Sequence, residues 1–198
     1  MDARLYLAST SRYRAAQLAR LGLPFTVEAA GIEEEAIEAE SARTRAWRLA
    51  LAKAQAVAAR HAEAWVLGSD QVAVCGGRVH DKPGNADRCR EQLRASSGQA
   101  VEFHTAVVLL RAKPNSVSEH IDRTIVRFRR LTEDEIARYV EIDRPFDCAG
   151  GFRSEGLGSS LLESVETRDP AALVGLPLIW VATALRAVGF DPVSPAQS

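Results

Sequence analysis

Short apolar runs and helical periodicities alternate along the first half of the chain, as they do in α/β proteins. The runs at residues 5–8 and 65–68 have the length and composition of buried strands, and residues 25–27 predict a shorter strand. Residues 13–21 and 44–61 carry apolar side chains at helical spacing between these runs. The pattern therefore predicts an α/β fold.

A period of two dominates much of the second half. Apolar residues alternate over residues 101–109 and again over 121–128, with a Pro-Asn-Ser sequence at 114–116 between them. This predicts a long antiparallel hairpin, because successive strand residues face opposite sides of a sheet. A second hairpin is predicted at the glycine pair 76–77, which separates two short apolar stretches.

Three more helices are predicted in this half. Residues 86–95 form one, and residues 132–142 form another, which begins with a capping box of Thr132 and Glu135. The last helix is expected over residues 177–189, because it has a proline at its start and a glycine at its end.

The composition limits the class of protein. The chain has 198 residues, of which 46% are apolar, so it can bury an ordinary core as a single domain over residues 1–198. A tail from about residue 191 to 198 is expected to be frayed. The net charge of −1 argues against a general nucleic-acid-binding protein, which needs a basic excess.

Other features of the composition favour a cytoplasmic location. Three cysteines without a CxxC pair indicate reduced thiols, and the four histidines lack zinc-ligand spacing. No apolar segment is long enough to span a bilayer, and early charged residues argue against a signal peptide. We therefore expect a soluble cytoplasmic protein with no membrane partner and no stable nucleic-acid partner.

Hydroxyl-bearing and basic residues follow the first predicted strand. Ser9, Ser11 and Arg14 occupy the strand-to-helix turn, where hydroxyls, backbone N–H groups and a guanidinium can bind phosphate. The alternative is that a serine caps the helix and the arginines are solvated.

Carboxylates occur at two places that could carry chemistry. Glu33 and Glu34 belong to a run of three glutamates in a predicted loop, which is either a solvated face or a source of metal ligands. Asp70 follows the strand at 65–68, which is expected to end at residues 69–71. A carboxylate at the end of an apolar strand is a common catalytic position in open α/β sheets, and the alternative is that it caps a turn.

Two lysines complete the candidate phosphate ligands. Lys53 falls on an apolar flank of the predicted helix 44–61, so its side chain either extends to solvent or points into a cleft. Lys82 lies in a loop before Pro83. Each lysine alone could be an ordinary surface residue, whereas together with Arg14 they could hold a triphosphate.

Residues 149–158 are rich in glycine, but they are not a dinucleotide-binding fingerprint, because they do not open a helix after a strand. Glycines here would let the backbone approach a ligand closely. No Gly-x-Ser-x-Gly sequence occurs, so covalent catalysis by a serine is not indicated.

Four blocks of the sequence resemble the Maf family of nucleoside triphosphate pyrophosphatases. They are residues 7–11 with Arg14, residues 33–34, residues 68–72 with 82–83, and residues 149–158 with 174–177. The blocks extend along nearly the whole chain in the family's order. Within the family the chain is similar to the YceF-like branch, which acts on 7-methyl-GTP, through Ser-Asp-Gln-Val at 69–72 and Phe-Arg-Ser-Glu-Gly at 152–156.

The resemblance implies an α/β fold, a Maf/ITPase-like mixed sheet with flanking helices and two lobes around a central cleft. It implies hydrolysis of a nucleoside triphosphate to monophosphate and pyrophosphate with a divalent cation (Mg²⁺, Mn²⁺ or Co²⁺), which would limit incorporation of modified nucleotides into nucleic acid. The alternatives are a dTTP/UTP pyrophosphatase of the sister branch and a nucleotide-binding regulator of cell division. A homodimer is one oligomeric state to test.

The resemblance also implies roles for individual residues. Asp70 would be the catalytic proton acceptor. Five residues would bind phosphate: Ser9, Ser11, Arg14, Lys53 and Lys82. Three carboxylates would hold the metal: Glu33, Glu34 and Asp70. Three residues would set base choice, with an aromatic face for the positively charged methylated guanine and a carboxylate for its N1–H and N2–H₂ edge: Tyr13, Gln71 and Glu155.

The chain departs from the family pattern at several positions. Arg12 replaces a usual proline and Ala15 a usual basic residue. Ala52, Ala106 and Arg153 stand where glutamate, glycine and lysine are common. These departures bear on rate and substrate preference rather than on the reaction class.

Overall fold

The computed structural model describes residues 4–193, which form seven strands, five α-helices and three short 3₁₀ helices. The strands are β1 (Leu5–Ala8), β2 (Thr26–Val27), β3 (Trp65–Cys75), β4 (Arg78–His80), β5 (Ala100–Arg111), β6 (Ser116–Phe128) and β7 (Leu162–Glu166). The α-helices are α1 (Arg12–Ala19), α2 (Ala42–Ala58), α3 (Ala86–Ser96), α4 (Glu133–Asp143) and α5 (Leu178–Ala187). The 3₁₀ helices are Ala149–Gly151, Leu157–Leu161 and Pro170–Val174.

The strands form one mixed sheet in the order β2-β1-β3-β5-β6-β7, with β4 paired to β3. Strand β1 pairs in parallel with β2 and β3, whereas β3 with β4 and β6 with β7 are antiparallel. The predicted mixed sheet with flanking helices is therefore confirmed. The hairpin at residues 76–77 and the capping box of Thr132 and Glu135 are confirmed as well.

One strand prediction is wrong in a way that matters for the site. The strand at residues 65–68 was expected to end at residues 69–71, but β3 continues through Asp70 to Cys75. Its first four residues pair with β1, and from Ala73 onward it pairs with β4. After β1 ends, β3 therefore remains extended with β4 as a hydrogen-bonded neighbour. The polar residues 69–71 do not by themselves reveal this pairing.

The helix and tail predictions need smaller corrections. Helix α2 begins two residues before the predicted start, where Ser41 accepts a hydrogen bond from the Thr44 backbone N–H, and it ends at Ala58 instead of residue 61. Helix α1 begins one residue before the predicted start and ends at Ala19 instead of residue 21, and α5 spans Leu178–Ala187 instead of residues 177–189. The tail predicted from about residue 191 to 198 lies mainly outside the described residues. Across residues 4–193, none of the helices has the length and apolar character that crossing a membrane requires.

The chain divides into two compact units. Among the described residues, the first unit consists of 4–70, 105–121 and 169–193, and the second consists of 71–104 and 122–168. Strands β3, β5 and β6 each contribute residues to both units. The expectation of a cleft between two lobes stays a prediction.

Each unit has buried apolar side chains of its own. In the first, Leu7, Leu67 and Leu109 of the sheet belong to one cluster with Val181 and Leu185 of α5. In the second, the rings of Phe128 and Phe152 meet edge-on with centroids 5.4 Å apart, and Phe103 lies 6.4 Å from Phe152. Burial of such side chains is the main favourable contribution to folding.

Strand β3 packs closely against α2 at Gly68. A Cβ atom at this position would lie 2.7 Å from the backbone nitrogen of Ala54 and would also overlap the carbonyl oxygen of Ala50. Both contacts are with helix backbone, which cannot move aside as a flexible side chain can. The missing Cβ therefore lets α2 approach the strand that carries Asp70.

We expect Gly68→Ala to lower the free energy of unfolding by about 1–3 kcal/mol, because the added methyl group forces the helix away from the strand. Urea denaturation followed by circular dichroism measures this change. The same shift should reduce turnover, since Lys53 lies on the displaced helix. A variant as stable as the wild type would contradict the close approach.

Candidate active site

The turn between β1 and α1 is organised by two serine hydroxyls. The backbone N–H of Ser11 donates to the Ser9 Oγ at 3.1 Å, and the Ser11 Oγ accepts a hydrogen bond from the Arg14 backbone N–H at 3.4 Å. Ser11 is thus the N-cap of α1, as one of the two sequence interpretations held. Ser9 is buried, while Ser11 and Arg14 are half-buried.

A single carbonyl oxygen fixes the Arg14 side chain. The Arg14 Nε donates to the Gly175 carbonyl at 3.0 Å, and the Ser69 hydroxyl lies 3.0 Å from the same oxygen and 2.8 Å from the Ala106 carbonyl. Gly175 has φ = 120°, a conformation that side chains with a Cβ rarely adopt. A glycine is required here for its backbone to face the arginine.

The charge on Arg14 has acidic neighbours. Burial lowers the pKa of the Arg14 guanidinium, and the negative charges of Asp70 and Glu34 counter part of this effect. An arginine side chain nevertheless stays protonated in proteins. Arg14 therefore supplies a permanent positive charge to the part of the first unit that contains the two carboxylates.

The ammonium group of Lys53 bridges two carboxylates. Its Nζ lies 2.7 Å from the Asp70 Oδ1 and 2.7 Å from the Glu34 Oε1. The Lys53 and Asp70 side chains are each 9% exposed, whereas Glu34 is 48% exposed. Lys53 therefore points inward from α2, as one of the two sequence interpretations held, and does not extend to solvent.

This acidic pair is suited to a hard divalent cation. Mg²⁺ is usually held by one or two carboxylates together with water and substrate phosphates. Within residues 4–193, no three His, Cys, Asp or Glu side chains are grouped as a metal site. Two carboxylates that gather around one ammonium fit a cation that needs phosphate oxygens to complete its coordination.

The third predicted metal ligand is not part of this cluster. Glu33 is exposed, and no described residue forms an ion pair or side-chain hydrogen bond with it. Glu34 is thus the member of the glutamate run that the structure brings to Lys53 and Asp70.

The predicted base-recognition residues lie in both units. Tyr13 belongs to the first unit and is half-buried, with its hydroxyl 2.8 Å from the Arg12 Nη2 and the Arg12 guanidinium 4.9 Å from its ring centroid. Gln71 follows Asp70 on β3 and belongs to the second unit, where it is half-buried. Glu155 is also in the second unit, exposed in the loop between two 3₁₀ helices.

Lys82 is exposed in the second unit, in the loop between β4 and α3. The Gln92 side chain donates to the Asp81 carbonyl at 2.8 Å, and the Gly84 backbone N–H donates to the Phe146 carbonyl at 3.0 Å. The loop that carries this lysine is therefore held by hydrogen bonds on both sides of it.

Three supporting residues lie within the sequence blocks that resemble the family, but no individual role was predicted for them. The Ser69 hydroxyl and the Gly175 carbonyl position Arg14, and Gly68 sets the distance between α2 and β3. A buried serine inside an apolar strand is the signal that could have identified Ser69, because a buried hydroxyl needs a hydrogen-bond partner.

The mixed sheet with flanking helices makes this an α/β protein. The side chains of Arg14, Glu34, Lys53 and Asp70 form a charged cluster that is suited to a phosphorylated ligand. A family model described as Maf-like protein matches residues 4–188, and the chain belongs to this family.

Similar proteins extend over almost the same length. A protein named 7-methyl-GTP pyrophosphatase from Xanthomonas axonopodis pv. citri is 50% identical over 188 residues, covering 95% of this chain and 98% of its own. Proteins of the same name from Aromatoleum aromaticum and Saccharophagus degradans are 47% and 42% identical. The alignments cover 94% and 97% of this chain and 96% and 98% of the respective relatives.

Proposed function

We propose that this protein is a nucleoside triphosphate pyrophosphatase that hydrolyses 7-methyl-GTP to 7-methyl-GMP and pyrophosphate. Relatives that carry this name match nearly the whole chain at 42–50% identity. The observation that carries the chemistry is the buried Lys53–Asp70 pair, with Glu34 on the same ammonium. This pair supports a role for Asp70 as the acceptor of a proton and for Lys53 as a phosphate-binding group.

The reaction breaks the bond between the α-phosphorus and the oxygen that bridges it to the β-phosphate. Water attacks the α-phosphorus, and pyrophosphate leaves with the bridging oxygen. Asp70 accepts the proton that the attacking water loses, which is general base catalysis. Its near-complete burial keeps the carboxylate in one position, because β3 fixes the backbone and Lys53 fixes one of the two oxygens.

Cationic and neutral donors bind the triphosphate. The predicted cations are Arg14, Lys53 and Lys82, which would neutralise part of the phosphate charge. The Ser9 and Ser11 hydroxyls, at the start of α1, add neutral donors near the positive end of the helix. When the substrate binds, the Lys53 ammonium gives up one of its two carboxylate partners and binds a phosphate oxygen in its place.

Glu34 and Asp70, with Glu33 as the third predicted ligand, would hold the divalent cation. Such a cation would polarise a phosphoryl oxygen and neutralise developing charge. Whether it is Mg²⁺, Mn²⁺ or Co²⁺ is a question for the assay, and the homodimer and the cytoplasmic location likewise stay predictions.

Base recognition would be divided between an aromatic ring and a carboxylate. The face of Tyr13 stabilises the positively charged N7-methylguanine by about 0.5–2 kcal/mol. Glu155 accepts hydrogen bonds from the guanine N1–H and N2–H₂, and its charge favours the methylated base. Gln71 reaches an exocyclic group or the ribose.

The assay that tests the function is pyrophosphate release from a panel of triphosphates, namely 7-methyl-GTP, GTP, dTTP and UTP, each with Mg²⁺, Mn²⁺ or Co²⁺. The highest kcat/KM should belong to 7-methyl-GTP. A preference for dTTP or UTP would indicate the sister branch instead, and nucleotide binding without pyrophosphate release would indicate a regulator.

We expect Glu155→Gln to lower kcat/KM for 7-methyl-GTP by roughly 5- to 150-fold. The amide turns one acceptor into a donor that faces the guanine N–H groups, which costs about 1–3 kcal/mol for each unpaired group. UTP lacks this edge, so its kcat/KM should change much less. The measurement is the ratio of the two values at one metal concentration, and an unchanged ratio would remove Glu155 from base recognition.

A further inference from the structure

Asp143 is a buried carboxylate with no place in the reaction described above. It is the last residue of α4 and is 8% exposed. One oxygen, Oδ1, accepts a hydrogen bond from the Arg153 Nη2 at 3.1 Å, and the other, Oδ2, accepts one from the Leu157 backbone N–H at 2.9 Å. Both hydrogen bonds go to the segment 153–157, which contains Glu155.

Further contacts hold the same segment. The backbone N–H of Arg153 donates to the Tyr139 hydroxyl, one turn earlier on α4, at 3.0 Å. The Ser159 hydroxyl donates to the Ser154 carbonyl at 2.9 Å. The segment is therefore attached at its beginning and at its end, while the Glu155 side chain between these attachments is exposed.

Gly156 allows the carboxylate to lie directly against this segment. A Cβ atom on Gly156 would overlap the Asp143 Oδ2 and lie 2.8 Å from the Arg153 Nη2. Any other residue at position 156 would push the carboxylate away from its two donors. Gly156, Asp143 and Arg153 together fix the path of the backbone next to Glu155.

We propose that Asp143 is a positioning residue for base recognition, which acts through Arg153 and the Leu157 backbone to fix the loop that presents Glu155 to the base of the nucleotide. This inference rests on the proposed function. Positioning of a recognition carboxylate matters because a misplaced acceptor loses the hydrogen bonds that discriminate between bases. Arg153, a departure from the usual lysine, contacts Asp143 through one arm of its forked guanidinium group.

The first test is Asp143→Asn, which keeps the size but replaces one of the two acceptor oxygens by a donor. We expect the ratio of kcat/KM for 7-methyl-GTP to that for UTP to fall about fivefold or more. The value for UTP should stay within about threefold of the wild type. Glu141→Gln is the matched control, because Glu141 lies on the same helix, is exposed and pairs with the exposed Arg138, so its ratio should not change.

A double variant separates positioning from general support of the fold. If Asp143 acts through Glu155, then Asp143→Asn combined with Glu155→Gln should lower the ratio no further than Glu155→Gln alone. Equal losses on both substrates in Asp143→Asn, or additive losses in the ratio, would overturn the inference. An unchanged ratio in Glu155→Gln alone would instead overturn the base-recognition part of the proposed function.

Substitutions of Arg153 decide the question if Asp143→Asn does not fold. Arg153→Lys keeps a cationic donor for Asp143 and should preserve the ratio within about twofold, whereas Arg153→Met should lower it as Asp143→Asn does. Thermal unfolding of each variant identifies those that are folded. Equal ratios in Arg153→Lys and Arg153→Met would contradict the positioning role.

Discussion

Asp70→Asn is expected to lower kcat by roughly 10²–10⁴-fold, the range that general base catalysis contributes. The substitution is nearly isosteric, but it removes both the charge and the proton acceptor from a side chain that is only 9% exposed. Within residues 4–193, the second carboxylate that pairs with Lys53 is Glu34, which is half-exposed in a loop and cannot take over the same fixed position.

The fold should survive this substitution. Removing one partner of a buried ion pair is costly when the remaining charge has no other partner. Lys53 keeps Glu34 at 2.7 Å, so its ammonium stays paired in Asp70→Asn. Thermal unfolding should therefore show a folded protein, and steady-state kinetics should show the lost turnover.

The matched control is Asp87→Asn, the same chemical change at an exposed aspartate that pairs with Arg90 on α3. This variant should keep wild-type kinetics. A folded Asp70→Asn protein with a kcat close to that of the wild type would exclude Asp70 as the proton acceptor.

Local patterns predicted the helical part of the site well. The helical wheel of α2 put Lys53 on an apolar flank and left a solvent-directed and an inward side chain as alternatives, and in the structure the side chain is buried. The capping serine of α1 and the capping box of α4 were also recognisable, because the residues that form such motifs lie within one turn of each other.

Contacts between distant segments explain what the sequence did not reveal. Strand β7 has four exposed residues in Leu162–Glu166 and lacks a strong strand pattern, but it pairs with β6. The choice of Glu34 over Glu33 depends on where α2 places Lys53, and the pair of Asp143 and Arg153 depends on where α4 ends. Pairing across many residues leaves no local periodicity to detect.

Removal of divalent metal is expected to reduce pyrophosphate release at least about 100-fold, because a bound cation contributes several kcal/mol of charge stabilisation in phosphoryl transfer. The predicted phosphate ligands Arg14, Lys53 and Lys82 carry fewer positive charges than a triphosphate needs, and Glu34 and Asp70 add negative charge nearby. Dialysis followed by assay in excess EDTA measures the loss, and added Mg²⁺, Mn²⁺ or Co²⁺ should restore activity.

The bridging position of the Lys53 ammonium allows a direct test of where the cation binds. The Lys53 ammonium lies 2.7 Å from one oxygen of Glu34 and one of Asp70, so if these two carboxylates hold the cation, the lysine would compete with it for them in the absence of nucleotide. The Lys53→Met variant lacks this ammonium group. We therefore expect Mn²⁺ to bind the nucleotide-free variant at least about tenfold more tightly than the wild type, because two positive charges about 4 Å apart repel by more than about 1.4 kcal/mol at the effective dielectric constant of a protein surface.

Electron paramagnetic resonance of free Mn²⁺ measures this affinity without any turnover. Lys113→Met is the matched control, because Lys113 is exposed and lies in the β5–β6 turn, away from both carboxylates in the sequence. Its Mn²⁺ affinity should equal that of the wild type. Full activity of the wild type in EDTA would refute the metal dependence, whereas equal Mn²⁺ affinities in Lys53→Met and wild type would show that the cation binds elsewhere than between Glu34 and Asp70.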